Sequence, residues 1–158
     1  MSKIKNPPVC SISFGANIIK QVVSLIYQGT VITHDGKCDK EIKRRIALAK
    51  TTFSNLSKVF KNKRLSLHIK RRLLKCYVRP VLLYGSECWT ITDAMKKKLE
   101  AAEMWFYRKI LRIPYTAHVK NEVVLERMSE NRELISIIRS QQMKFFGHIM
   151  RNKEIKQS

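Results

Sequence analysis

The apolar residues Ile42, Ile46, Ala49, Phe53, Leu56 and Phe60 fall at gaps of four and three. A strand of period two cannot bury such a set on one face, whereas a helix gathers it into one stripe. The spacing predicts a helix from Asp39 onward, with Asp39 placed to cap its first turn. Lys40, Lys43, Arg44, Lys50 and Lys58 occupy its other faces. Upstream the period is two. Cys10, Ile12 and Phe14 alternate with Ser11 and Ser13, residues 15 to 17 (GAN) can turn the chain, and IIKQVV and TVIT supply β-branched runs. His34-Asp35-Gly36 closes this part with a D-G turn. Residues 1 to 9, with Pro7-Pro8, read as a loose lead-in.

Further helices follow from the same spacing. Ser66 opens one, with Ile69, Leu73, Cys76 and Tyr77 inward and Arg71, Lys75 and Arg79 stacked outward at i, i+4 and i+8; Pro80 kinks or ends it. Another runs from about Thr92 to Arg112 on Met95, Leu99, Ala102, Phe106 and Ile110, stopped by Pro114. Asn121 is placed to cap a short helix, EVVLERM. The last spans about Arg132 to Met150, and its broad apolar face of Leu134, Ile135, Ile137, Ile138, Phe145, Phe146 and Ile149 predicts a packed position. The expected fold class is mainly α: a short N-terminal β-hairpin or meander followed by a basic bundle of four to five helices. No period of 20 to 50 residues repeats, so a solenoid is unsupported.

The 158 residues carry 32 Lys and Arg against 12 Asp and Glu, a formal net charge of +20, yet 44% of the chain is hydrophobic. That is enough apolar material for a core, and the surplus charge points to a polyanionic partner. Nucleic acid comes first, because neutralising successive phosphates releases condensed counterions. An anionic membrane surface or an acidic protein is the alternative. The longest apolar runs fall well short of the roughly 18 to 20 residues of a spanning helix, and MSKIKNPPVCSISFG lacks the apolar core of a secretory signal, so cytoplasm or nucleus is expected. Cys10, Cys38, Cys76 and Cys88 lie far apart without zinc spacing and read as reduced thiols.

Catalytic patterns are sparse. Two-metal chemistry needs clustered carboxylates, but Asp35, Asp39, Glu41 and Asp93 sit at turns and helix starts, where dipole compensation explains them. Glu100 and Glu103, on a lysine-rich helix, read as surface ion-pair partners. Five glycines form no phosphate-cradling loop. His148, in the expected last turn of its helix, suits terminal carbonyls. Trp89, Trp105, Phe106 and Tyr107 are core candidates, with one or two left exposed for base stacking.

Five blocks in one order are shared with a known family. YQGTVITHDGKCDKEIKRRIALAKTTF, YVRPVLLYGSECWTIT, LEAAEMWFYRKILRIP, NEVVLERM and MKFFGHIMR together resemble the region after the catalytic palm of non-LTR (LINE-type) retrotransposon reverse transcriptases, over roughly residues 18 to 151. The resemblance implies three parts: 1–36 a lead-in and end-of-palm hairpin, 37–90 thumb-like helices, and 91–158 a C-terminal helical segment. Tyr27-Gln28-Gly29 is similar to the family's Tyr-Leu-Gly primer grip, with Gln28 in place of Leu, which makes Tyr27 and Gly29 the grip-like residues. Thumb helices hold template-primer phosphates, and Lys43, Arg44, Lys50, Lys70, Arg71, Lys75 and Arg79 are the positions implied for that contact with RNA or with an RNA:DNA or DNA duplex, without sequence preference. RPVLLYGSECW would pack against those helices, bent at Pro80 and Gly85. The family's Tyr-x-Asp-Asp motif and its endonuclease are not in these residues. The expectation is a non-catalytic piece of an element, without a cofactor of its own. Mg²⁺ and a palm domain would belong to the intact parent enzyme.

Overall fold

The computed structural model describes residues 12–14, 17–19 and 21–155. Strand β1 (Ile12–Phe14) pairs antiparallel with β2 (Asn17–Ile19), and β3 (Ser24–Tyr27) with β4 (Thr30–Thr33). Helices follow: α1 (Asp39–Asn55), α2 (Ser57–Phe60), α3 (Leu67–Leu73), α4 (Arg79–Leu83), α5 (Asp93–Leu111), α6 (Asn121–Met128) and α7 (Leu134–Ile155). The fold is mainly α with β-hairpins at the N-terminal end, as expected. There are more helical segments than four or five because two expected helices are divided, at Leu56 and at a π turn over Leu74–Val78. The lead-in, the Cys10 thiol and the turn at Gly15 and Ala16 lie outside the described residues.

The first helix forms on its expected stripe. Ile42, Ala49, Phe53 and Phe60 are buried, and the Phe53 and Phe60 rings stack with centroids 4.4 Å apart. Asp39 is not the cap. Cys38 holds that position without a side-chain cap bond, and Asp39 is the first helical residue, where its charge meets the positive helix end. The Cys38 sulfur instead ties the helix start to a distant loop, accepting the Thr90 N–H at 3.4 Å. Asn121 likewise does not cap α6. Lys120 takes that place, and the Asn121 side-chain Oδ1 accepts from Arg108 at 2.8 Å. Ser66 and Thr92 do cap, their hydroxyls accepting the Ile69 and Met95 N–H groups.

The second expected helix is phased differently from its sequence reading. Its inward line is Lys70, Leu74 and Val78, while Ile69, Cys76 and Tyr77 are exposed. Pro80 causes the break, since its ring would clash with the carbonyl of residue 76 in a regular helix. The preceding turn widens to a π turn and α4 restarts with Pro80 in its first turn. Past it, Gly85 takes φ +74° and leads into a 3₁₀ turn, Ser86–Cys88. Ser86 is fully buried and donates to Gln141 at 2.5 Å; Gln142 donates to the Ser86 and Trp89 carbonyls at 3.4 and 2.8 Å. Val78, Leu82, Leu83 and Trp89 enter the core, whereas Tyr77 and Tyr84 of the same run stay exposed, so only part of it is packing material.

Helix α7 meets α5 and the Ser86–Cys88 turn through its first half, where Leu134 and Ile138 are buried. Its second half is not packed as expected: Met143, Phe145, Phe146, Ile149 and Met150 are exposed. Nor is His148 in the last turn, because the helix continues to Ile155. Among the described residues no helix is long and apolar enough to cross a membrane.

Two buried carboxylates organise the interior. Glu41, 1% exposed, accepts from Arg45 Nε at 2.5 Å, from Arg44 at 3.3 Å and from the Val31 N–H at 2.9 Å. It therefore does more than offset a helix dipole: it joins α1 to the outer edge of β4. Glu103, 5% exposed, is not the expected surface ion-pair partner and accepts from the Tyr107 hydroxyl at 3.2 Å. Burial raises the Glu103 pKa above the ordinary carboxylate value, against lowering by the Tyr107 bond and by Arg79. Burial and the Glu103 charge hold the Tyr107 phenol above its own range.

Glu41→Ala strands the Arg45 guanidinium in the interior and is expected to lower unfolding free energy by about 3 kcal/mol in a denaturant titration. Glu103 has a distinct pH signature. A carboxyl whose pKa is higher folded than unfolded binds more protons in the native state, so its contribution falls as pH rises from about 4.5 through the folded value. Glu103→Gln keeps an acceptor for Tyr107 and removes the ionisation. The wild type should therefore lose stability relative to this variant as pH is raised to neutral, and parallel profiles would remove Glu103 as the cause.

Candidate nucleic-acid interface

The hairpin that carries the grip-like residues is built on a two-residue turn. Tyr27 pairs with Thr30, and the intervening Gln28 and Gly29 have φ +46° and +75°. Positive φ at both positions gives a type I′ turn, whose twist matches the strands it joins. Gly29 adopts that conformation without a Cβ penalty, and Gln28 adopts it against one. The tip is fastened from outside. Arg44 donates to the Gly29 carbonyl at 2.9 Å, Arg45 donates to the same oxygen, and the Tyr84 hydroxyl donates to the Gln28 carbonyl at 3.1 Å. The Arg45 guanidinium lies 4.3 Å from the Tyr84 ring centroid. Tyr27 is exposed and lines a groove of about 780 Å³ with Tyr84, Arg79, Glu87 and Gln141.

The expected phosphate-contacting residues separate into two groups. Arg71, Lys75 and Arg79 do stack at i, i+4 and i+8, but they face the α6–α7 connection rather than outward. Arg71 donates to the Met128 and Ser129 carbonyls at 2.8 and 2.9 Å, which closes the C-terminus of α6. Lys75 lies 2.8 Å from Glu130 and 3.8 Å from Glu133, and Arg79 lies 3.4 Å from Glu133. Lys70 points into the interior at 8% exposed, and Arg44 is held by Glu41 and Gly29. These five line packing seams. Of these, Lys75 and Arg79 also line the groove beside Tyr27, while Lys43 and Lys50 lie on a different face, free of carboxylate partners.

That face lies between α1 and α5. A furrow of about 440 Å³ is lined by Lys43, Ile46, Lys50, Lys98, Ala101, Ala102 and Trp105. A second, of about 420 Å³, is lined by Lys61, Arg108, Lys109, Arg112, Ile113 and Pro114. The two meet at Trp105, since the Lys50 and Lys109 ammonium groups lie 5.1 and 5.7 Å from its ring centroid, one from each furrow. Neither lining contains a carboxylate. Among the described residues Lys43, Lys50, Lys98 and Lys109 have no acidic side chain within ion-pair distance. Their mutual repulsion is left for solvent, salt or a bound polyanion to relieve.

Lys98 and Lys109 were missed in the sequence reading, which did name Trp105 among the four aromatics of which one or two are left for base stacking. With Trp105 they lie along one flank of α5: positions 98, 101, 105 and 109 follow one another by roughly a turn, beside the buried stripe of Met95, Leu99, Phe106 and Ile110. Trp89, Phe106 and Tyr107 are buried as expected, and Trp105 is the aromatic left half-open. Among the described residues no group of three or more His, Cys, Asp or Glu side chains is arranged to hold a metal ion. Cys38, Cys76 and Cys88 are free thiols. Burial, then the Glu87 charge, raises the Cys88 pKa, which keeps that thiol protonated.

Arg71→Ala removes two charged hydrogen bonds from the end of α6 and is expected to cost about 2 kcal/mol in thermal or chemical unfolding. An unchanged midpoint would show that the seam does not depend on Arg71.

No protein-family model matches this chain, and no solved structure matches it. It is similar to a putative uncharacterized transposon-derived protein of Caenorhabditis elegans, with 27% identity over 139 residues that cover 86% of this chain. The chain spans about half the length of that relative.

Proposed function

We propose that this chain is the thumb and C-terminal part of a retrotransposon-type RNA-directed DNA polymerase, and that it holds template-primer nucleic acid through phosphate contacts on the α1–α5 face. The observation that carries the reading is the pair of adjoining furrows in which Lys43, Lys50, Lys98 and Lys109 converge without a carboxylate. The likeness to a transposon-derived protein and the ordered sequence blocks support the origin. The chain has no Tyr-x-Asp-Asp motif, so its own part is to grip, with polymerisation and its Mg²⁺ assigned to a palm domain in the parent enzyme. Lysine contacts to phosphate fix register and carry no sequence information, so binding is non-specific.

Binding to an RNA:DNA hybrid should weaken linearly in log affinity against log salt, with a slope of about 0.9 for each phosphate neutralised. Lys50→Ala and Lys109→Ala should each shallow that slope by about one contact. Lys75→Ala should lower stability and leave the slope unchanged, because its ammonium is already paired with Glu130. A flat salt profile for the wild type would sink the reading. A second reading, an interaction module for anionic membranes or acidic proteins, draws on the exposed apolar end of α7 and predicts equal binding to anionic vesicles and to the hybrid.

A further inference from the structure

The indole of Trp105 has an unusual cover. On its inner side it packs edge-to-face against Phe53 and Phe106, with centroids 5.6 and 5.3 Å away and interplanar angles of 68° and 81°. The Lys50 and Lys109 ammonium groups also lie over the ring, and one turn back the α5 surface falls to exposed Ala101, too small to screen it. Packing therefore holds the indole in place, while what covers it is two flexible lysines. An ammonium over a partly exposed indole is a weaker pairing than a nucleobase stacked on one. An arriving base can displace both lysines without stranding them, since each then meets the phosphates flanking that base. In a continuous duplex the bases are stacked on one another and unavailable, and the same face offers phosphate contacts alone.

We infer that Trp105 is a base-stacking residue and that the α1–α5 face takes single-stranded nucleic acid in preference to continuous duplex. This rests on the nucleic-acid reading above and goes beyond it by naming the strand state that is bound.

The test compares an oligothymidylate with a duplex of the same length across a salt series, using the full chain and Trp105→Leu. The wild type should bind the single strand more tightly. Trp105→Leu should lose about tenfold on the single strand and little on the duplex, with both salt slopes retained. Trp105→Phe should recover part of the loss. Should Trp105→Leu fail to fold, Trp89→Phe supplies an independent readout. Trp89 is buried and its indole N–H has no partner, so the substitution removes an unsatisfied donor and leaves Trp105 as the one tryptophan. Its fluorescence should be quenched by the single strand and not by the duplex. Salt-dependent binding with equal losses on the two substrates, or without quenching, overturns the stacking role and leaves the phosphate grip standing. Absence of salt-dependent binding by the wild type overturns both.

Discussion

The Glu41 carboxylate is the contact on which the arrangement depends. It lies in the first turn of α1, and its two oxygens serve Arg45, Arg44 and the Val31 N–H at once. The backbone donor is the decisive one. Val31 stands opposite Ile26 in a position whose N–H points away from the hairpin, so without Glu41 it would be an open strand edge. By accepting it, Glu41 substitutes for a third strand. The two arginines that neutralise Glu41 then continue to the Gly29 carbonyl, and Arg45 lies over Tyr84, whose hydroxyl holds Gln28. One buried anion thus joins the hairpin, α1 and the bend after α4. A buried ion pair of this kind sets geometry more than it adds stability, and the geometry here is the placement of the hairpin tip against the bundle.

The charge of the chain has two separate uses. Part of it is structural: Arg44, Arg45, Arg71, Lys75, Arg79 and Arg108 reach carbonyls and carboxylates across helix seams, where a helix end or a loop offers unsatisfied oxygens. Three of the 12 acidic residues are spent there, Glu41, Glu130 and Glu133. The consequence appears elsewhere. With those carboxylates drawn into the seams, none lies in the two furrows between α1 and α5, and that face stays uncompensated.

Apolar surface is divided in a similar way. The bundle buries its stripes efficiently through Phe53, Phe106, Tyr107 and Val124, yet β3 and the far half of α7 expose Ile26 at 68% and Met143 at 70%. The hairpin is open along β3 and only partly covered along β4, where Thr33 is buried and Ile32 exposed, and α7 outruns the elements that cover it.

Much of the helical content was determined by the sequence alone. The stripes through Ile42, Phe53 and Phe60 and through Leu99, Phe106 and Ile110 are local periodicities, the caps at Ser66 and Thr92 are local hydrogen bonds, and the D-G turn at Asp35 is local chemistry; the structure has all of them. What tertiary structure decided is which side of a helix a charge occupies and whether it is already paired. Arg71, Lys75 and Arg79 form a regular row in the sequence, but the π turn before Pro80 and the acidic connection after α6 together turn that row into a seam. Glu103, four residues after Leu99 and three before Phe106, stands closer to the buried stripe than Glu100 does, and the packing of α5 against its neighbours completes its burial. The basic face is likewise a sum over two helices far apart in the chain, since Lys43 and Lys50 meet Lys98 and Lys109 only once α1 and α5 are in contact. Periodicity is carried by neighbours in sequence, whereas charge pairing is set by neighbours in space.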